Sequence, residues 1–340
     1  GFSVRVLYSS SRPPPRLGTQ PRVGIQLASV MGFAATLSFA GAMDAYRKEV
    51  DVDYLGSGRA EKADLYLPRN ISSGRRTPAV VIIHGGGWTK GDKGSAREIN
   101  IGTNLALNGY VAMSINYTLA TRGGDDIPWP RNLYDCKTAV RWLRANAERL
   151  GVDPNRIGVI GGSAGGQLAA MVAVAGPEAG LEPPGPYPEF SSRVQCAVVL
   201  YGPADLAHWK DIPAWRRTRA EDPDLYRVSS PVTWTDSADP PILLLHGTAD
   251  DIVPVDQSER FAAVLSGNKV EHKLVIVEGA PHTFDLQPKQ QDLRPLVLSF
   301  LDKHLSEQGV PVIGTIGFGA GGQAAREEGT HVTLPKKAPR

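Results

Sequence analysis

The stretch RIGVIGGSAGGQLAA, residues 156–170, sets one serine, Ser163, between Gly161-Gly162 and Ala164-Gly165-Gly166. An apolar run with β-branched residues precedes it, and an alanine- and leucine-rich run follows. The segment therefore reads as strand, tight turn, helix. Residues 161–165, GGSAG, match G-x-S-x-G. As five letters this pattern arises by chance. Between a strand and a helix it describes a turn that lifts a serine hydroxyl above a sheet edge, at a helix N-terminus. A plain glycine-rich turn and a phosphate-binding loop are the alternatives. The second lacks the lysine that would follow the glycines. In the elbow reading, Gly161 and Gly165 give clearance, and Gly166 lets the helix lie close to the sheet.

A serine hydroxyl is a weak nucleophile and needs a base held by a carboxylate. Downstream, LLLHGTADDIVP (243–254) brings Asp250 just past a strand, and VIVEGAPHTF (275–284) brings His282 just past the next. Serine, acid and histidine thus follow one another in chain order, the acid and the histidine each past a strand end. His246 and His84 are alternative bases, and Asp251 is an alternative acid. Upstream, HGGGW (84–88) places three glycines directly after an early strand, where backbone N–H groups could meet an oxyanion.

The rest of the chain frames these motifs. Of 340 residues, 41% are hydrophobic and 21% charged, with a net charge of +2, as in an ordinary globular protein. No basic run interleaved with aromatics points to a nucleic-acid partner. Cys136 and Cys196 read as small buried hydrophobes; there is no zinc spacing and no disulfide framework. Strands are expected at 79–84, 110–117, 156–162, 195–203, 241–250 and 271–279, and helices at 132–151, 164–176, 255–268 and 293–305. Apolar strands alternating with helices predict an α/β fold, a mostly parallel sheet with helices on both faces. Residues 204–236 break that rhythm and hold Trp209, Trp215 and Trp234, a lid-like insertion or long surface connection. Those indoles read as core and lid packing or as an aromatic wall for substrate. Asp135, early in the 132–151 helix, reads as a cap or structural partner.

The expected domain runs from 48 to 305, with a leader at 1–47 and a flexible tail at 306–340. Residues 1–22 carry Arg5, Arg12, Arg16 and Arg22 and no acid; an apolar stretch then ends in Ala40-Gly41-Ala42. That is the layout of a secretory signal peptide and predicts a secreted or periplasmic protein. The alternative is a leader ahead of a cytoplasmic protein that starts at Met31 or Met43. The apolar stretch is too short and too polar to predict stable membrane insertion.

HGGGW (84–88), DPNRIGVIGGSAGGQLAA (153–170), HGTADDIVP (246–254) and GAPHTF (279–284) together resemble the α/β-hydrolase superfamily. The resemblance is to carboxylesterases with an HGGGW loop, of the feruloyl and acetyl-xylan esterase type and the hormone-sensitive-lipase-like group. It covers residues 48–305. It implies Ser163 as nucleophile, His282 as base and Asp250 as its orienting acid. The oxyanion hole would be the N–H groups of Gly86, Gly87 and Ala164, and Trp88 would pack beneath the loop. It further implies an acyl-enzyme route on small to medium esters, such as acetyl or feruloyl esters of plant polysaccharide, with no cofactor and no metal. The same fold also serves amidases, formamidases and peptidases, and a non-catalytic binding protein is the reading from another class. Oligomeric state is not legible.

Overall fold

In the computed structural model, residues 5–7, 46–69 and 75–307 are described. The expected strand before Ser163 is β6 (Val152–Gly162), and its neighbour is β4 (Thr77–Ile83). The β4 sequence, TPAVVII, is buried along its whole length. Its side chains alternate between two cores: Ala79, Val81 and Ile83 enter one, and Val80 and Ile82 the other. A strand that is apolar on both faces needs cover on both faces. Helices α2 (Arg131–Ala145), α4 (Ala164–Val174) and α7 (Asp256–Gly267) supply it on the first face. On the second face α1 (Ala96–Leu107) packs Ile101 and Leu105, and α8 (Arg294–Leu305) packs Val297, Leu298 and Leu301.

The remaining strands are β1 (Arg5–Leu7), β2 (Tyr46–Val52), β3 (Ala63–Pro68), β5 (Val111–Ile115), β7 (Cys196–Leu200), β8 (Ile242–Gly247) and β9 (His272–Val277). Among the described residues the sheet has nine strands, ordered β1-β9-β8-β7-β6-β4-β5-β3-β2. From β5 and β4 through β6 to β9 the pairing is parallel. β2, β3 and β1 pair antiparallel at the edges. This is the mostly parallel sheet with helices on both faces that the sequence predicts. The chain steps from β4 outward to β5, then returns to the other side of β4 as β6. Loops leaving β4 and β6 therefore part in opposite directions and open a crevice at the carboxyl edge, where ligands bind in open α/β sheets.

Two expected helices differ in detail. The 132–151 helix is two pieces, α2 and α3 (Ala147–Leu150), joined at Asn146 and closed by left-handed Gly151. The 164–176 helix ends at Val174. Within 204–236 two short α-helices occur, α5 (Pro223–Val228) and α6 (Pro231–Trp234), besides two single 3-10 turns. Both cysteines are buried and unpaired. Residues 5–7 form the edge strand on β9, and β2 begins at Tyr46. Otherwise the expected leader, with its signal sequence, and the tail beyond Glu307 lie outside the described residues. No helix among the described residues is long and apolar enough to cross a membrane.

Candidate active site

Ser163 stands between β6 and α4, as the N-cap of α4, with φ 58° and ψ −123°, a conformation a side-chain-bearing residue adopts only under constraint. The constraint is visible. Its N–H donates to the Leu200 carbonyl (2.9 Å), and its carbonyl accepts from Gln167 N–H (3.0 Å). The backbones around it nearly touch. A Cβ on Gly161 would lie 2.1 Å from the Gly165 oxygen, and one on Gly165 would lie 2.1 Å from the Ile83 oxygen. Only glycine permits this crossing, which projects the Ser163 hydroxyl at the α4 N-terminus.

Ser163 Oγ is 2.9 Å from His282 Nε2, and His282 Nδ1 is 2.6 Å from Asp250 Oδ2. The three residues come from the ends of β6, β9 and β8. Asp250 is buried, and its Oδ1 accepts from the N–H groups of Ile252 (3.0 Å) and Val253 (2.9 Å). Burial opposes its charge, but bonds from His246, His282 and these two N–H groups prevail and hold its carboxyl well below the usual range. It stays a carboxylate.

The rival residues stand elsewhere. His246 lies behind Asp250, its Nε2 3.2 Å from Oδ2 and 2.8 Å from the Val253 oxygen, with Nδ1 bonded to Ser258 (2.7 Å). His84 stacks on Tyr117 and donates from Nδ1 to the Gly85 carbonyl (2.7 Å); burial pulls it down to about 4. Neither bonds Ser163. Asp251 is exposed. Asp135 bonds Arg59 and Thr118 away from the crevice, as a structural partner and not a cap.

After β4, Thr89 and Lys90 N–H groups donate to the Gly86 carbonyl and close a turn. Gly86 (φ 117°) and Gly87 (φ 62°) stand in it, their own N–H groups bonded to no described acceptor. A Cβ on Gly86 would sit 2.0 Å from the Lys90 oxygen. Ala164 is the first residue of α4, and its N–H has no intrahelical acceptor. All three line one cavity of about 590 Å3 with Ser163 and His282. Its walls are largely apolar: Trp88, Trp209, Ile212, Pro213, Ile252 and Val253, with Lys90, Ser95, Arg97 and Lys210 among them. Of the three insertion indoles only Trp209 lines it. Trp215 is buried against Trp88 (4.9 Å between ring centres), and Trp234 donates to the Val228 carbonyl. Trp88 packs on Trp215, donates to Gln167 (3.0 Å) and also faces the cavity. Among the described residues, no group of three or more His, Cys, Asp or Glu is placed to hold a metal ion.

The sequence pointed to neither Arg97 nor Tyr201. Tyr201, just past β7, sets its ring edge 4.8 Å from His282 (ring centres) and stays protonated, because burial pushes its phenol up to about 12 despite Arg97. A hydroxyl, an imidazole and a carboxylate in line, beside three unspent N–H groups, can make a nucleophile and hold charge on a carbonyl oxygen.

The chain is similar in sequence and in fold to known esterases. The BD-FAE family model matches residues 63–265. Esterase LipQ of Mycobacterium tuberculosis is 30% identical over 247 residues, covering 69% of this chain and 57% of LipQ. The probable carboxylic ester hydrolase LipM of the same organism is 32% identical over 256 residues, 71% of this chain and 57% of LipM. The chain thus spans little more than half the length of these curated relatives. Among solved structures, a truncated carbohydrate esterase from gut microbiota superposes with TM-score 0.69 at 27% identity, over 78% of this chain and 98% of that one. Thermogutta terrifontis esterase 2, phosphonylated by sarin, superposes with TM-score 0.65 at 27% identity, over 80% and 100%.

Proposed function

Because the chain belongs to the BD-FAE family and has the α/β-hydrolase fold, we propose that it is a serine carboxylesterase working through an acyl-enzyme. The observation that carries this is the unbroken chain from Ser163 Oγ through His282 (2.9 Å) to Asp250 (2.6 Å), opening on a cavity. Ser163 Oγ attacks the ester carbonyl while its proton passes to His282 Nε2. Asp250 accepts from Nδ1–H and steadies the imidazolium. The carbonyl oxygen, now negative, takes bonds from the N–H groups of Gly86, Gly87 and Ala164. His282 then protonates the departing alcohol. A water activated by the same imidazole releases the acid and restores Ser163. No step calls on a cofactor.

The substrate is a small to medium ester. The cavity of about 590 Å3 is of ordinary ligand size, and Trp209, Ile212 and Ile252 suit an apolar or aryl acyl group. The structural likeness to a carbohydrate esterase supports an acetyl or feruloyl ester on plant polysaccharide. Turnover of acetyl, butyryl, octanoyl and feruloyl esters tests the reading. It expects hydrolysis of the short and aryl esters, abolished in Ser163→Ala. Turnover of amides without esters would move the assignment to an amidase.

A further inference from the structure

The His282 turn is strained, and the serine–histidine–aspartate bonds engage only its imidazole, not its backbone. Thr283, the next residue, has φ 66°, a left-handed value unfavourable for a β-branched side chain. Such a conformation persists only where its surroundings over-determine it.

One hydroxyl reaches the backbone of this turn from the end of β7. Tyr201 Oη donates to the carbonyl of Phe284, two residues past His282, at 2.5 Å, and its ring packs edge-on against both His282 and Phe284. The hydroxyl also accepts from Arg97 Nη1 at 2.9 Å. Tyr201 is itself strained, at φ 40°.

Arg97 is fixed in turn. Its Nε and Nη2 both donate to Glu98 Oε1 (2.8 and 2.5 Å), and Glu98 is buried. Its guanidinium lies close to Gly162, just before Ser163, and to Gly85 in the loop after β4. A Cβ on Gly162 would meet Nη1 at 2.5 Å, and one on Gly85 would meet Nη2 at 3.3 Å. One planar cation therefore touches the oxyanion turn and the elbow, and through Tyr201 the histidine turn. The same helix adds Asn100, whose Oδ1 accepts from Leu286 N–H at 3.4 Å.

We infer that Arg97, acting through the Tyr201 hydroxyl, is a positioning residue that keeps His282 Nε2 in line with Ser163 Oγ. The inference rests on the esterase reading above. Neither residue transfers a proton; the pair fixes an angle and a distance. Losing it should lower the rate of the chemical step and leave substrate binding alone.

Tyr201→Phe is the direct test, because it removes the hydroxyl and keeps the ring against His282. With p-nitrophenyl acetate, kcat should fall about 10- to 100-fold, as a misplaced catalytic group costs, while KM stays within twofold. The rate of fluorophosphonate labelling at Ser163 should fall in parallel. Arg97→Ala should show the same fall in kcat and be partly restored by added guanidinium, which can enter because Arg97 borders the cavity; the KM criterion is read from Tyr201→Phe, since Tyr201 does not line the cavity. Arg97→Lys should lie between the two. A merely structural role predicts something else: kcat per labelled site unchanged, with only the melting temperature lowered. Tyr201→Phe retaining kcat within twofold overturns the inference, as does a fall that tracks the folded fraction. A wild-type protein that hydrolyses no ester refutes the esterase reading instead, so the two failures are distinct.

Discussion

Asp250→Asn isolates the electrostatic part of the mechanism, because the structure dictates how the amide must sit. Asp250 Oδ1 accepts two backbone N–H bonds, from Ile252 and Val253. The amide oxygen must take that place, which turns the NH2 toward His282 Nδ1. His282 then accepts at Nδ1 and carries its proton on Nε2. It meets Ser163 with a donor where an acceptor is needed. The NH2 also faces His246 Nε2, which stands 3.2 Å from Oδ2 and 2.8 Å from the Val253 oxygen, so a second pair of donors is opposed. A wrong tautomer of this kind costs about 10⁴ in kcat in the serine-protease example, or about 5.4 kcal/mol of barrier. Steady-state hydrolysis of p-nitrophenyl acetate at neutral pH, normalised to labelled sites, should show a loss near that size with little change in KM. Asp251→Asn, at an exposed position, should stay near wild type. If Asp250→Asn kept a tenth of the activity while Asp251→Asn lost it, the acid would be misassigned.

Other expectations follow from single residues. Gly86→Ala puts a methyl 2.0 Å from the Lys90 oxygen, so the turn must move; losing one oxyanion donor should lower kcat about 10²- to 10³-fold, read in the same assay. Leu301→Ala hollows the core under α8 and should cost about 2–5 kcal/mol in urea unfolding without changing kcat per labelled site. His84 is held neutral by burial, its folded value about 4 against 6.5 when unfolded. A depressed histidine contributes stability above the unfolded value and loses it as pH falls toward the folded one. Acidifying from pH 7 to 4 should therefore cost up to about 3 kcal/mol through this group. His84→Gln should unfold with a shallower pH dependence over that window, and an unchanged slope would refute the account.

The parts of the fold legible in the sequence are those where one strand carries its own explanation. The runs at 79–84, 110–117 and 241–250 are apolar because both faces are covered. The site motifs sit just past β6, β8 and β9, so Ser163, Asp250 and His282 could be located one strand at a time. What escaped depends on contacts far apart in the chain. Helix α1 contains Asn100, Gly102 and Asn104, poor helix formers. Gly102 is there because a Cβ would lie 2.7 Å from the Tyr66 ring, a cause no local window holds. Strand β2 is mixed in charge and takes its place from β3, which pairs antiparallel with β5. Arg97 and Tyr201 are 104 positions apart, and Tyr201 and Phe284 are 83 apart. No spacing rule joins them. The break of the 132–151 helix at Asn146 is likewise a boundary that periodicity does not mark.

The central claim is that Ser163 is a nucleophile primed by His282. It is tested most directly by treating the folded protein with a fluorophosphonate and mapping the adduct by peptide mass spectrometry. The account predicts one stoichiometric adduct on the 156–170 stretch, at Ser163. The adduct should be absent in Ser163→Ala and slowed at least a hundredfold in His282→Ala, about the contribution of a general base. A folded protein that gives no adduct, or labels at another serine while Ser163 stays free, would contradict it.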